Sequence, residues 1–279
     1  MTLDLSGRGA IVAGTRRVGA TVVERLATEG VRVAVLYRSS RDEAERQAKA
    51  AGGIAIHVDL TDEASVQRAV SDARRQLGDL SFCVNLASDY PRTPFSKLDA
   101  AAWDRGVAGA KGTFLLALHA ARVMFDNPGP TRGHLVFFGD WAAEETPYLD
   151  YLPYLTGKAA VHFLARGFAL ELASHGILVN GILPGPTERP AGLSQAGWDK
   201  AVAQTPLHRE SSEADIAEIV VTLLKLETIT GENIRIDSGR HLAGTAERPS
   251  PGRAERPSPG RAERPSPGRA ERPSPGRTG

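Results

Sequence analysis

Between residues 10 and 236 the chain alternates short runs that are apolar at every position with longer stretches in which apolar residues recur every three or four. The first kind fits strands buried on both faces, and the second fits helices with one buried face. Strands are predicted over residues 10–13, 31–37, 54–58, 82–86, 135–138, 177–183 and 233–236. Helices are predicted over 18–29, 41–51, 62–77, 100–125, from Tyr154 onward, and over 213–226. Gly30 closes the first helix and Gly52-Gly53 the second, while Gly106, Gly109 and Gly112 weaken the middle of the 100–125 helix. Residues 185–209 read as a polar loop with short helical pieces. Apolar strands alternating with helices make an α/β fold, a doubly wound parallel sheet of seven strands. Such sheets bind ligands at the carboxyl ends of their strands. One domain is predicted over residues 1–245.

The end of the chain breaks this pattern. From Ala246 the octet AERPSPGR repeats four times, through Arg277. It has two prolines in eight positions and no aliphatic side chain larger than alanine. It cannot bury enough apolar surface to offset the entropy of ordering. Residues 246–279 are therefore expected to be disordered, with extended polyproline-like stretches, either as a basic docking tail or as a repeat expansion without a role. Each repeat carries two arginines and one glutamate, so at a net charge of +1 the remainder is mildly acidic, which disfavours a nucleic-acid partner. Hydrophobic content of 41% and charged content of 24% are those of a soluble globular chain. The single cysteine, Cys83, rules out an internal disulfide and fits a cytoplasmic location. No signal-like leader and no run of ~18 apolar residues is present, so neither export nor a membrane span is expected. His119 and His162 sit in apolar helix patterns and read as packing or surface residues, and with Cys83 they show no metal spacing.

Candidate chemistry gathers where strands end. The first strand runs into Gly14-Thr15-Arg16-Arg17-Val18-Gly19 and then a helix. Glycines there let the backbone approach a pyrophosphate, and the helix N-terminus stabilises that anion. The second strand ends at Tyr37, followed by Arg38-Ser39-Ser40, where an adenosine ribose would lie. An acidic residue would select NAD at that point. An arginine beside two hydroxyls suits a 2′-phosphate instead, and Arg16 and Arg17 add positive charge, so NADPH is the expected cofactor. Asp59-Leu60 follows the third strand, where the carboxylate either meets the adenine amino group or serves as an N-terminal helix charge. Tyr154 and Lys158 lie four apart at the start of a helix and so share a face. A cation one turn away is expected to lower the tyrosine pKa and make it a proton donor to a carbonyl oxygen or imine nitrogen.

These motifs, with VNLA at 84–87, VNGILPGPT at 179–187 and ITGENIRIDSG near the end of the domain, resemble the short-chain dehydrogenase/reductase family over residues 5–244. The resemblance implies a seven-stranded Rossmann fold and a nicotinamide cofactor, with Tyr154 and Lys158 catalytic. It implies that Lys158 also holds the nicotinamide ribose, that Pro184-Gly185 and Thr187 lie beside the nicotinamide amide, and that Asn85 and Ala87 line the cofactor site. The chain departs from the family in four places. Its glycine loop is one residue short and lacks the middle glycine, and the paired arginines and Arg38-Ser39 resemble pteridine reductases. Asn85-Leu86-Ala87-Ser88 keeps half of the strand-four motif. The family's catalytic serine slot holds Asp140 by alignment of LVFFGDW, or Trp141 by counting back from Tyr154. Gly109 replaces an asparagine that serves a lysine–water proton relay in the family.

A carboxylate at Asp140 can orient a substrate amine or relay a proton; otherwise it caps a helix. Trp141, Tyr148 and Tyr151 form either an aromatic wall for a flat substrate or ordinary packing. The resulting expectation is an NADPH-dependent reductase of a C=O or C=N bond, on a pteridine-like, ketone or 3-oxoacyl substrate, with residues 188–209 closing over it. The alternative is a regulatory or scaffold protein that binds NADPH with little turnover. The family also implies a homodimer or homotetramer paired through long helices.

Overall fold

A computed structural model describes residues 2–144, 146–190 and 193–243. The repeat tail expected to be disordered lies outside them. Seven parallel strands are present: β1 (Gly9–Ala13), β2 (Arg32–Tyr37), β3 (Ile54–His57), β4 (Phe82–Asn85), β5 (Gly133–Phe138), β6 (Ile177–Pro184) and β7 (Asn233–Ile236). Their order across the sheet is β3-β2-β1-β4-β5-β6-β7, with every neighbouring pair parallel. The helices are α1 (Val18–Thr28), α2 (Arg41–Ala50), α3 (Glu63–Leu77), α4 (Ala100–Met124), α5 (Leu152–Leu172), α6 (Gln195–Ala203) and α7 (Glu213–Lys225). The predicted alternation is realised throughout, and α6 is the helical piece of the polar loop.

The strands are largely apolar because both faces are covered. On one face, Val66 and Val70 of α3, Leu116 of α4 and Val161 of α5 pack with Ile11, Leu135 and Val179 from the sheet. On the other, Val22 and Leu26 of α1, Ala44 of α2 and Val220 of α7 pack with Val12, Val33 and Phe82. Fully burying such a side chain stabilises the fold by about 1.5–3 kcal/mol. Polar side chains close the helix starts: Asp62 accepts from Ala64 N at 3.0 Å, Asp99 from Ala102 N at 2.7 Å and Ser212 from Asp215 N at 3.2 Å. Each such cap contributes about 1 kcal/mol.

The strand order reverses between β1 and β4, which opens a crevice at the carboxyl edge of the sheet. The glycines of α4 do not interrupt it, because tertiary packing offsets their low propensity. A side chain at Gly106 would overlap Pro153 and the Tyr154 backbone, and one at Gly157 would stand 2.7 Å from Gly106 O. Close contact of α4 with α5 at these two glycines fixes where Tyr154 enters the crevice.

Candidate active site

Two groups of side chains face the crevice. The first surrounds the turn from β1 to α1. Gly14 has φ +81°, and a side chain there would overlap Ala87 N and the Leu86 carbonyl. Gly19 similarly leaves no room for a side chain against Gly14 O. Both positions therefore need glycine, and the loop backbone is left open to a ligand. Arg17 takes φ 57° and ψ −121°, a conformation that favours glycine and costs an arginine about 1–3 kcal/mol. This is the loop from which the family's middle glycine is missing. Arg16 is exposed, and Val18 opens α1 half-buried against the core. Arg17 reaches across the crevice to Glu188, Nε to Oε2 3.0 Å, on the segment after β6.

Arg38 and Ser39 are exposed beyond β2, and Arg38 lies 3.7 Å from Asp89. Asp59 forms a tight turn, its Oδ1 accepting from Thr61 N at 2.9 Å and from Thr61 Oγ1 at 2.7 Å. Those hydrogen bonds hold its carboxyl below the usual range. Asp59 lies just before α3, whose N-cap is Asp62. Leu60 packs beside Gly112 of α4.

Asn85 is buried. Its Nδ2 donates to Thr113 Oγ1 at 2.9 Å and its Oδ1 accepts from Ala87 N at 3.1 Å. The amide of this expected cofactor ligand joins β4 to α4 and holds the turn in which Ala87 N packs against Gly14. Pro184 ends β6, Gly185 N donates to Ile236 O at 2.9 Å, and Thr187 Oγ1 donates to Gly185 O at 3.1 Å. Gly14, Ala87, Gly185 and Thr187 are half-buried, and the side-chain-free turn at Gly14 and Gly19 with its two adjacent arginines fits a dinucleotide.

The second group lies beyond β5. Asp140 is 8% exposed, Tyr154 7% and Lys158 8%. Tyr154 Oη donates to Asp140 Oδ2 at 2.9 Å, and Tyr148 Oη donates to the same oxygen at 3.1 Å. Ala142 N donates to Asp140 Oδ1 at 2.9 Å. Asp140 therefore closes a turn and does not cap a helix, since α5 starts at Leu152. Lys158 Nζ donates to Phe138 O at 2.7 Å and lies 5.8 Å from the Tyr154 ring centroid. The carboxylate of Asp140 contacts Tyr154, and the Trp141 ring lies 4.9 Å from the Arg240 guanidinium and 6.3 Å from the Tyr148 ring. Of the two residues that spacing offers for the serine slot, Asp140 is the one hydrogen-bonded to Tyr154.

One expectation is overturned. Lysine was expected to lower the tyrosine pKa, but burial and the Asp140 carboxylate push Tyr154 well above its ordinary value. Desolvation disfavours the phenolate, and the anion beside it disfavours it further. Burial brings Lys158 down to about 8, against a smaller upward pull from Asp140.

The aromatic wall is denser than expected. Tyr90, in the turn after β4, stacks on Tyr151 at 4.4 Å and meets Tyr154 edge-on at 4.9 Å. Tyr148 meets Tyr151 at 5.1 Å. Tyr90, Asp89 and Glu188 were missed by sequence reasoning, because loop residues carry no periodicity. Gly109 lies one turn before Thr113, which donates to its carbonyl at 2.9 Å, and a Cβ placed there would meet no atom within 4 Å outside its own helix turn. No group of three potential metal ligands occurs among the described residues.

Known proteins align with this architecture. A family model described as enoyl-(acyl carrier protein) reductase matches residues 12–241. The short-chain dehydrogenase/reductase eriH of Hericium erinaceus is 30% identical, covering 85% of this chain and 99% of its own. The 3-oxoacyl-(acyl-carrier-protein) reductase FabG of Staphylococcus aureus is 28% identical over 84% of this chain and 98% of its own. The cyclic-di-GMP-binding biofilm dispersal mediator protein of Escherichia coli is also 28% identical, over 81% and 94%. Among solved structures, a short-chain dehydrogenase/reductase from Serratia marcescens superposes with a TM-score of 0.79 at 31% identity, covering 86% of this chain and all of that one. By its matched core, its sheet order and its crevice, the chain belongs to the short-chain dehydrogenase/reductase family.

Proposed function

We propose that the protein is an NADPH-dependent reductase of a C=O or C=N bond in a small, flat substrate. The observation that carries this reading is the buried Asp140–Tyr154–Lys158 group beside the glycine turn. NADPH would supply the hydride. Gly14, Gly19 and the loop arginines suit its pyrophosphate, Arg38 and Ser39 its 2′-phosphate, and Asp59 and Leu60 its adenine. Ala87, Pro184, Gly185 and Thr187 suit the nicotinamide side, with Lys158 at the ribose.

Tyr154 is the acid. The hydroxyl is protonated at neutral pH, the form a proton donor needs, but its raised pKa makes it a weak acid in the free protein, so donation relies on a neighbouring cation to stabilise the phenolate. Its hydrogen turns from Asp140 Oδ2 to the substrate oxygen or nitrogen. Lys158, close to the ring and able to titrate near neutral pH, stabilises the phenolate that remains and returns a proton to it. Asp140 opposes phenolate charge and favours positive charge on the substrate. A protonated C=N nitrogen, as in a pteridine-like ring, meets that preference, and the Tyr90–Tyr148–Tyr151 wall suits a flat ring. The 3-oxoacyl substrate named for the Staphylococcus aureus relative is the other candidate.

A panel of pterins, imines, quinones, diketones and a 3-oxoacyl thioester, followed by NADPH absorbance, tests the reading. Turnover by the wild type with loss of about 10²–10⁴-fold in Tyr154→Phe is expected. Equal rates for the two proteins would overturn it.

Gly109 and the biofilm dispersal relative favour a second reading, a regulatory protein that binds NADPH and turns over little. It predicts NADPH binding without oxidation across the same panel. Trp103, Phe114, Phe163 and Leu170 are exposed on α4 and α5. They support self-association through these helices as a homodimer or homotetramer. No helix among the described residues is long and apolar enough to cross a membrane.

A further inference from the structure

The face of α5 that carries Tyr154 and Lys158 continues one turn further to His162. This ring is 1% exposed and is wedged behind Asp140. Its Nε2 accepts the Asp140 backbone N–H at 3.1 Å. That N–H has no strand partner. Its neighbours Gly139 and Trp141 donate to Ile182 O and Pro184 O of β6, so the Asp140 N–H points away from β6. On that side β4 has already ended at Asn85, paired with Phe137. Only a glycine at 139 admits the imidazole, since any side chain there would overlap Nε2.

Because Nε2 is the acceptor, the neutral ring carries its hydrogen on Nδ1. Nδ1 stands 3.0 Å from Glu144 Oε1, a close contact whose angle falls short of a well-formed hydrogen bond. Glu144 is itself held between Arg166 at 3.9 Å and Arg235 at 3.8 Å. The carboxylate thus stands behind the ring on the side of the Nδ1 hydrogen, while the other ring nitrogen faces Asp140. Burial keeps the ring below its ordinary pKa and therefore neutral, as an acceptor must be.

We propose that His162, oriented by Glu144, is a positioning residue for reduction: it pins the Asp140 main chain so that the carboxylate meets the Tyr154 hydroxyl. The proposal rests on the reductase reading for its kinetic consequence but not for its geometry. An apolar residue at 162 would leave the Asp140 N–H unpaired in the interior, free to turn and carry the carboxylate with it. Glutamine places an amide oxygen near the position of Nε2 and can accept the same hydrogen.

The test uses His162→Leu and His162→Gln in the full chain. Ring ¹⁵N resonances of the wild type report the tautomer, and the Asp140 amide resonance reports the hold. The expected results are an unprotonated Nε2, an Asp140 amide shift lost in the leucine variant and kept in the glutamine variant, and unchanged NADPH affinity in both. Turnover should fall about tenfold or more in His162→Leu, in kcat and not KM, and be largely restored in His162→Gln. Merely structural packing would lower thermal stability in both variants without this split. Protonated Nε2, an Asp140 amide indifferent to the leucine, or equal kcat in the two variants would overturn the proposal. If the leucine variant does not fold, the wild-type tautomer and the glutamine variant still decide it. If the wild type reduces no substrate, the reductase reading fails, while the amide and ring resonances still decide whether His162 holds Asp140.

Discussion

The two sides of the crevice are built on opposite principles. On the cofactor side the charged groups are exposed and loosely paired. Arg17 and Glu188 are 49% and 45% exposed, and Arg38 and Asp89 63% and 75%. On the catalytic side Asp140, Tyr154 and Lys158 are all buried and bound to one another or to nearby backbone. Exposed pairs contribute under about 1 kcal/mol each, so an incoming phosphate can displace them at little cost. Buried groups cannot exchange partners so freely, because any unpaired member bears its full desolvation penalty. Affinity should therefore be tunable on the first side with turnover intact, and turnover on the second with affinity intact.

The largest effect is expected at Asp140. Asp140→Ala removes the acceptor of two tyrosine hydroxyls and should lower turnover about 10–10²-fold, with NADPH affinity within a factor of two or so. A matching loss of affinity, measured by fluorescence titration, would dissolve the distinction between the two sides. Next comes Arg38→Ala, which should weaken NADPH about tenfold and leave NADH unchanged. Its counterpart Asp89→Asn should tighten NADPH a few-fold by freeing the guanidinium. If both nucleotides respond alike, Arg38 does not read the 2′-phosphate.

Lys158 gives a pH test with a definite sign. Its folded pKa is about 8, below the ordinary 10.5. Below pH 8 the lysine is charged in both states and the cost of burying that charge is fully present. Between pH 8 and 10.5 the unfolded chain binds more protons, so this group's contribution to stability improves as pH rises. Urea unfolding of wild type and Lys158→Met across that window should show the wild type gaining on the variant. Parallel curves would mean that the ammonium is not desolvated. The smallest effect is expected at Gly109→Asn. Open space around that position admits the side chain, so stability should stay within about 1 kcal/mol, the ordinary range for a glycine replaced in a helix. A several-fold rise in kcat would mark the asparagine as the missing part of the proton relay.

The fold was legible because its signal is repeated. Every strand from β1 to β6 is covered on both faces, and every helix except α6 turns one stripe to the sheet. The three glycines of α4 looked like weak points because propensity is local, whereas Gly106 answers to Pro153 on another helix. In the site, Gly14, Gly19 and the Tyr154–Lys158 spacing were legible from the chemistry that needs them. Three properties were not. The direction of the Tyr154 pKa depends on burial and on Asp140, fourteen residues away in the chain. The part Asn85 plays in joining strand to helix was hidden because its partner Thr113 lies on α4, far along the chain. His162 looked like packing, although its place two turns beyond Tyr154 on the same helix face was a signal available in the sequence.

The central claim is that Tyr154 gives a proton while NADPH gives a hydride in one crevice. Its most direct test is deuterium transfer from NADPH labelled at the nicotinamide C4, with product analysed by mass spectrometry for wild type and Tyr154→Phe. The account predicts one deuterium in the wild-type product, and at least a hundredfold less product from the variant at equal NADPH occupancy. Undiminished labelled product from Tyr154→Phe, or no labelled product from either protein at saturating NADPH, would contradict it.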